Sequence, residues 1–307
     1  MLAARRRAIS VLATVLSATL IAAGASLPSL PQARASGNGL PLCALSTSAL
    51  QLIESESSRL GVAVIDLDSG LEWTGGDSGV FALHSVVKVP IAWLALTQLA
   101  EVTEPDATHT RLRREIGMMV THSANDPVAG ILRYVGGLTA LGEYYEQLGV
   151  PELRTGLHAQ RWGIGTARPL AVARMFGGLA VSASNEEVRE HMFQLLSRTP
   201  TQLRWGATRP PETLEGWVSL VKTGQFLWSE EELRLNSAAI WLDADQRPRY
   251  VIVMMLSGKL DYGRGQALQN RIGAALGHAL AERERTPDGE RWNCLKLSLD
   301  LLVARYF

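Results

Sequence analysis

Ser85 and Lys88 stand three residues apart in the run His84-Ser85-Val86-Val87-Lys88-Val89-Pro90. A serine hydroxyl is a weak nucleophile at its own pKa and needs a neighbouring base. Residues three apart share one face of a helix, so a lysine at that spacing can reach the hydroxyl. Such a lysine works as a base once burial or a nearby cation lowers its pKa. A helix beginning at the serine would add free amide donors and partial positive charge for a developing oxyanion. Taken alone, the pair also fits a chance Ser and Lys on a surface helix.

Two further groups point the same way. Ser123-Ala124-Asn125 precedes Asp126-Pro127, which reads as a helix cap and a first helical position. A loop serine there can pass a proton to a leaving nitrogen, and the Asn125 amide can hold both Lys88 and a substrate amide. By itself the group would read as an N-cap cluster. Lys222-Thr223-Gly224 is expected at the end of a strand over residues 216–221. Lys222 offers a fixed charge to a ligand carboxylate and the Thr223 hydroxyl can bond the same group. Gly224 lets an extended ligand approach the strand edge, with Gln225 next in line. The chain has four lysines, at 88, 222, 259 and 296, and two of them fall in these groups; arginine supplies nearly all other positive charge.

In this order the groups S-x-x-K, S-x-N and K-T-G resemble the motifs of the penicillin-recognising serine enzymes, the class A β-lactamases and the serine D-alanyl-D-alanine peptidases. The resemblance spans residues 61–282 and includes Pro90 after the first motif. It implies Ser85 as the acylated nucleophile, Lys88 as its base and Ser123 as the shuttle to the leaving nitrogen. Asn125 matches the motif asparagine, and Lys222 and Thr223 match the carboxylate-binding pair. The backbone amides of Ser85 and Gln225 would form the oxyanion hole. The implied substrate is a small-molecule β-lactam or a D-Ala-D-Ala peptide, with no cofactor. The implied activity is β-lactam hydrolysis or, alternatively, D-alanyl-D-alanine carboxypeptidase or penicillin-binding activity. A catalytically weak module that binds cell-wall peptides is the rival from another class.

The sequence departs from the pattern in three places. Ala124 replaces the aspartate of the middle motif. The interval from Ser85 to Ser123 is short for a class A enzyme. The third departure bears on mechanism. Class A enzymes carry an E-x-x-L-N loop whose glutamate activates the deacylating water, and residues 149–166 hold no such motif. Glu152 is the sole acid in that stretch and comes too early; His158 is a candidate substitute, against the plainer reading of a surface histidine. Loss of a general base costs about 10²–10⁴ in rate, roughly 3–5 kcal/mol of barrier. Acylation is therefore expected to survive while deacylation slows.

The elements that must position these residues follow from periodicity. Residues 61–70 alternate and turn back through 71–73 as a hairpin. Residues 80–215 change to helical spacing, clearest at 90–100, 110–120, 127–134, 138–148 and 169–179. Strands resume at 216–221, 235–242 and 249–256, and a long amphipathic helix covers 266–282. A tail helix is expected at 292–307. The order predicts an α+β fold: one antiparallel sheet from N- and C-terminal segments, flanked by helices, with an inserted all-α subdomain at about 80–215.

Composition narrows the function further. With 30 basic and 30 acidic side chains in 307 residues, the chain lacks the cationic face a nucleic-acid partner demands. A 47% hydrophobic, 20% charged composition excludes a disordered chain. Arg5, Arg6 and Arg7, an uncharged stretch over 8–25 and the small residues Ala33 and Ala35 lay out a secretory signal peptide, cleaved near Ala35. An uncleaved anchor is the alternative. Residues 36–307 then form one exported domain, read as a monomer. Cys43 and Cys294 can pair in an oxidising compartment or remain separate thiols. The six histidines lack metal-ligand spacing, and there is no G-x-S-x-G elbow. His84 and His122, each before a motif serine, read as packing residues. Trp162, Trp205 and Trp228 read as cleft lining or core.

Overall fold

The computed structural model describes residues 59–156, 159–182, 186–207, 214–229 and 232–284. The leader, Cys43, Cys294, His158, the Trp228 side chain and the expected tail helix lie outside the described residues.

Strands β1 (Arg59–Asp66), β2 (Glu72–Gly76), β5 (Val218–Ser229), β6 (Glu232–Leu242) and β7 (Pro248–Gly258) form one sheet in the order β2-β1-β7-β6-β5. Every pairing in it is antiparallel. Between β2 and β5 the chain runs through the two-residue strand β3 (Phe81–Ala82) and helices α1 (Lys88–Ala100), α2 (Ala107–Thr121), α3 (Val128–Tyr134) and α4 (Gly137–Gln147). Strand β4 (Thr166–Ala167), which pairs with β3, and helices α5 (Pro169–Val181) and α6 (Glu186–Ser197) follow. Helix α7 (Tyr262–Glu284) closes the described chain.

The sheet is a central layer with apolar side chains on both faces. In β1, Ala63 and Ile65 join the core shared with α1–α6, while Leu60, Val62 and Val64 join the core under α7. In β7, Val251, Val253 and Met255 face the first core, and Tyr250, Ile252 and Met254 the second. The period of two in side-chain direction divides a nearly continuous apolar run between two cores. Helix α1 is buried over most of its surface, from Val89 to Leu99. Its apolar residues surround it rather than forming a stripe, so it sits at the centre of the helical layer.

Local signals set several boundaries. The Asp106 side chain accepts the Thr108 and His109 amides at 2.7 and 3.0 Å, and His109 Nδ1 accepts the Asp106 amide in return, starting α2. Pro169 opens α5 at a position where its missing N–H costs nothing. Two expectations need correction. Lys222-Thr223-Gly224 lies inside β5 rather than at its end, because pairing with β6 continues to Leu227 opposite Leu233. Helix α6 had no clear signal among the expected helices. It holds its place by burying Val188, Met192, Leu195 and Leu196 against the helical core.

Candidate active site

The chain reaches Ser85 from β3 through a 3₁₀ turn, His84–Val87, that runs directly into α1. His84 enters it with φ at 48°, the left-handed region that non-glycine residues avoid. Two contacts hold that conformation. The His84 ring stacks on Phe226 of β5, centroids 5.4 Å apart. From β6, the Asn236 side-chain amide donates to the Ala82 and Leu83 carbonyls at 2.8 and 2.9 Å. Burial, then the Arg234 charge, lowers the His84 pKa to about 4, so the ring is neutral near pH 7.

Gly224 explains how strand and nucleophile come together. A Cβ at that position would lie 2.9 Å from the Ser85 amide nitrogen and 3.2 Å from the Leu83 carbonyl oxygen. The backbone of β5 therefore rests directly on the nucleophile turn, which no larger residue would allow.

Lys88, the first residue of α1, is fully buried. Its Nζ donates to the Ser123 carbonyl at 2.6 Å, to Asn125 Oδ1 at 2.7 Å and, at longer range, to Ser123 Oγ at 3.4 Å. Lys222 arrives from β5, also fully buried, and donates to the same Ser123 Oγ at 2.9 Å. Ser123 sits between α2 and α3 with φ at 57°, a second left-handed residue at the site. Burial lowers the Lys88 pKa to about 8. Burial and then the Lys88 charge lower that of Lys222 to about 7. Two cations sharing one hydroxyl disfavour double protonation, which favours a neutral amine in the pair. Among the described residues, no hydrogen bond joins Lys88 to the Ser85 hydroxyl; its two short bonds go to Ser123 and Asn125. Catalytic hydrogen bonds are often loose before substrate arrives.

The facing wall comes from residues 161–164. Arg154 and Thr166 close this loop through paired backbone hydrogen bonds of 2.8 and 2.9 Å. Inside it, a Cβ on Gly156 would lie 2.2 Å from the Arg161 carbonyl oxygen, so the chain folds tightly upon itself. The 3₁₀ segment Ala159–Ile164 carries Arg161, Trp162 and Gly163 to the cleft. The Trp162 ring lies over Lys88, with Nζ 4.9 Å from the ring centroid. Together with Ser85, Asn125, Gln225 and Phe226 these residues enclose about 700 Å³. No carboxylate is among the described residues lining this cleft. Glu152 turns elsewhere and lies 3.7 Å from Arg174, which also clamps Glu72.

The structure thus brings Ser85, Lys88, Ser123, Asn125, Lys222, Gly224 and Gln225 to one place. Thr223 is also buried there, but its hydroxyl donates to the Leu203 carbonyl at 2.8 Å and is engaged by main chain rather than open to a ligand. Three cleft residues lacked a clear sequence signal. Trp162 was undistinguished from Trp205, which is buried in the core under α7. Arg161 and Phe226 carry no motif.

The profile of the β-lactamase enzyme family matches residues 100–280, a span that includes Ser123, Asn125 and Lys222 and begins after Ser85 and Lys88. The fold is shared with solved class A enzymes at low identity. A β-lactamase from Chitinophaga pinensis is 19% identical, with a TM-score of 0.62 over 76% of this chain and 98% of its own. A representative of class A β-lactamase from Bacteroides cellulosilyticus is 14% identical, with a TM-score of 0.64 over 78% and 98%. The class A β-lactamase of the last common ancestor of Gram-negative bacteria is 19% identical, with a TM-score of 0.64 over 77% and 99%. No curated protein matches the chain in sequence. The chain belongs to the β-lactamase enzyme family and has the class A β-lactamase fold.

Proposed function

We propose that this chain is an exported serine hydrolase, acylated at Ser85 by β-lactams and slow to release the product. The observation that carries this reading is the convergence of Lys88 and Lys222 on one serine hydroxyl, with Asn125 holding Lys88. Neutral Lys88 takes the Ser85 proton as Oγ attacks the lactam carbonyl. The C–N bond breaks, and the proton reaches the leaving nitrogen through Ser123. The amides of Ser85 and Gln225 stabilise the oxyanion. Lys222 meets the ligand carboxylate, and that negative charge restores its proton.

Hydrolysis of the acyl-enzyme requires a base for water. Arg161 and the Trp162 indole border this cleft and no carboxylate is among its described lining residues, which argues for slow deacylation. The same observation favours a second reading, a D-alanyl-D-alanine carboxypeptidase or penicillin-binding protein. Both readings share the acylation step and differ in the fate of the adduct.

A labelled penicillin tests this. The expected result is a covalent adduct on Ser85 that outlasts the acylation time by about 10²-fold or more. Ser85→Ala should fold and form no adduct; an adduct on that variant would overturn the assignment. Fast turnover of a chromogenic cephalosporin would favour an efficient lactamase and overturn slow release. Absence of both adduct and turnover in the folded protein would leave a binding module. Export rests on the leader sequence, and N-terminal sequencing of secreted protein should read from Ser36.

A further inference from the structure

Lys88 is enclosed by partners of three kinds. Oxygen atoms of Ser123 and Asn125 take its hydrogen bonds, the cation Lys222 shares the Ser123 hydroxyl, and the Trp162 ring covers a further side. The indole is not there by chance of rotamer alone. Its loop is tied at Arg154 and Thr166, and the next residue, Gly163, packs on the nucleophile turn: a Cβ there would sit 3.6 Å from His84 Cα. One short loop therefore touches both the nucleophile segment and the base.

We propose that Trp162 is a positioning residue that seals Lys88 from bulk water and thereby sets the proton affinity of the base that activates Ser85. The role in acylation rests on the reading given above; the effect on the lysine does not. A ring has two opposing influences on an amine beside it. Its face attracts an ammonium ion and favours protonation. Its bulk excludes the water that would solvate the charge and disfavours protonation. Lys88 is fully buried and its Nζ lies 4.9 Å from the ring centroid, so the indole stands where water would otherwise solvate the ammonium ion.

The other charged and titratable neighbours act alongside. Lys222 from β5 is a cation across Ser123. Arg161 of the loop and His84 of the nucleophile turn border the same cleft, which has no carboxylate among its described lining residues. The hydrogen bonds from Lys88 to Ser123 and Asn125 hold the ammonium form, no anion is among the described lining residues, and the side that Trp162 covers is where solvation can change. Opening that side to water moves Lys88 back towards the ordinary lysine value of 10.5.

The test is a titration of the lysine ε-carbons by carbon-13 NMR in the full chain, from about pH 6 to 11. Four lysines make the spectrum tractable, and Lys88→Met assigns the resonance. Trp162→Ala should raise the Lys88 midpoint by about one pH unit, and Trp162→Phe, which keeps an apolar cover, should restore most of the difference. Acylation by labelled penicillin should follow: the acid limb of its pH profile moves up equally, and the rate near pH 7 falls about tenfold in Trp162→Ala. A midpoint within about 0.3 units of wild type in Trp162→Ala overturns the proposal. If that variant does not fold, Trp162→Gln is read by the same criterion. Failure of wild type to form an adduct would refute the acylation reading while the titration still decides the role of Trp162. An adduct with unmoved midpoints would refute that role alone.

Discussion

The two walls of the cleft differ in kind. One carries Lys88, Ser123, Asn125 and Lys222, tied by hydrogen bonds of 2.6 to 3.4 Å. The other carries Arg161 and Trp162, and its contribution to that network is an aromatic face over Lys88. Formation of an acyl-enzyme needs the first wall; its hydrolysis also needs a base facing incoming water. Under the proposed function the first wall serves acylation, while no carboxylate is among the described residues lining the cleft to serve hydrolysis. The energetic scale is large, since a missing general base is worth several kcal/mol of barrier.

The sharpest way to break this contrast is Lys88→Met. Acylation should fall by about 10²–10⁴, read as the rate of penicillin labelling. The same variant should be more stable than wild type at pH 7, by on the order of 1 kcal/mol or more, because it relieves the burial of an amine whose pKa is brought from 10.5 to about 8. Between these two values the unfolded lysine keeps a proton that the folded one has lost, so wild-type stability rises with pH there. The gap between variant and wild type should therefore narrow as pH rises through that window, which denaturant melts at several pH values will show.

Lys222→Ala tests the charge on the first wall. It should weaken binding of carboxylate-bearing penicillins about 10–100-fold, the worth of a charge-assisted hydrogen bond, as read by the concentration dependence of labelling. Gly224→Ala tests the contact between strand and nucleophile. The new methyl would meet the Ser85 backbone nitrogen at 2.9 Å, and neither backbone can yield cheaply. A loss of about 1–3 kcal/mol is expected in chemical denaturation, with slower labelling.

The smallest effect concerns the second wall. Arg174→Ala removes an exposed clamp on Glu72 and the neighbouring charge of Glu152. It should cost under about 1 kcal/mol and leave adduct lifetime unchanged. A shortened lifetime would mean that freed Glu152 can serve as the base, and the contrast between the walls would collapse.

Much of the architecture was legible from periodicity. The strand β1 was expected from alternation but is a nearly continuous apolar run buried on both faces; the return of strands after a long helical block implied that both ends share one sheet. The expected strand at 216–221 was too short because Gly224 and Gln225 look like a strand end in isolation. Cross-strand partners in β6 hold them extended. Helix α6 was missed because its stability comes from burial against α1 and α2 more than from a strong stop or start signal. At the site, Ser85, Lys88, Ser123, Asn125 and Lys222 were visible because their types and short spacings repeat a known pattern. Trp162 was named with Trp205 and Trp228 as cleft lining or core and not separated from them, since an aromatic residue in a loop has the same local appearance whether it faces solvent, core or cleft.

The sequence by itself determined the short-range facts. A serine and a lysine lie three apart at a helix start, two of four lysines fall in motifs, and a glycine follows one of those lysines at i+2. The tertiary structure decided what those residues meet. Lys88 reaches Ser123 and Asn125 across 35 and 37 residues of chain, and Lys222 reaches Ser123 across 99. Such contacts arise when the sheet closes against the helical layer. Local propensity carries no information about them, because their geometry is set by how two cores pack on either side of one sheet.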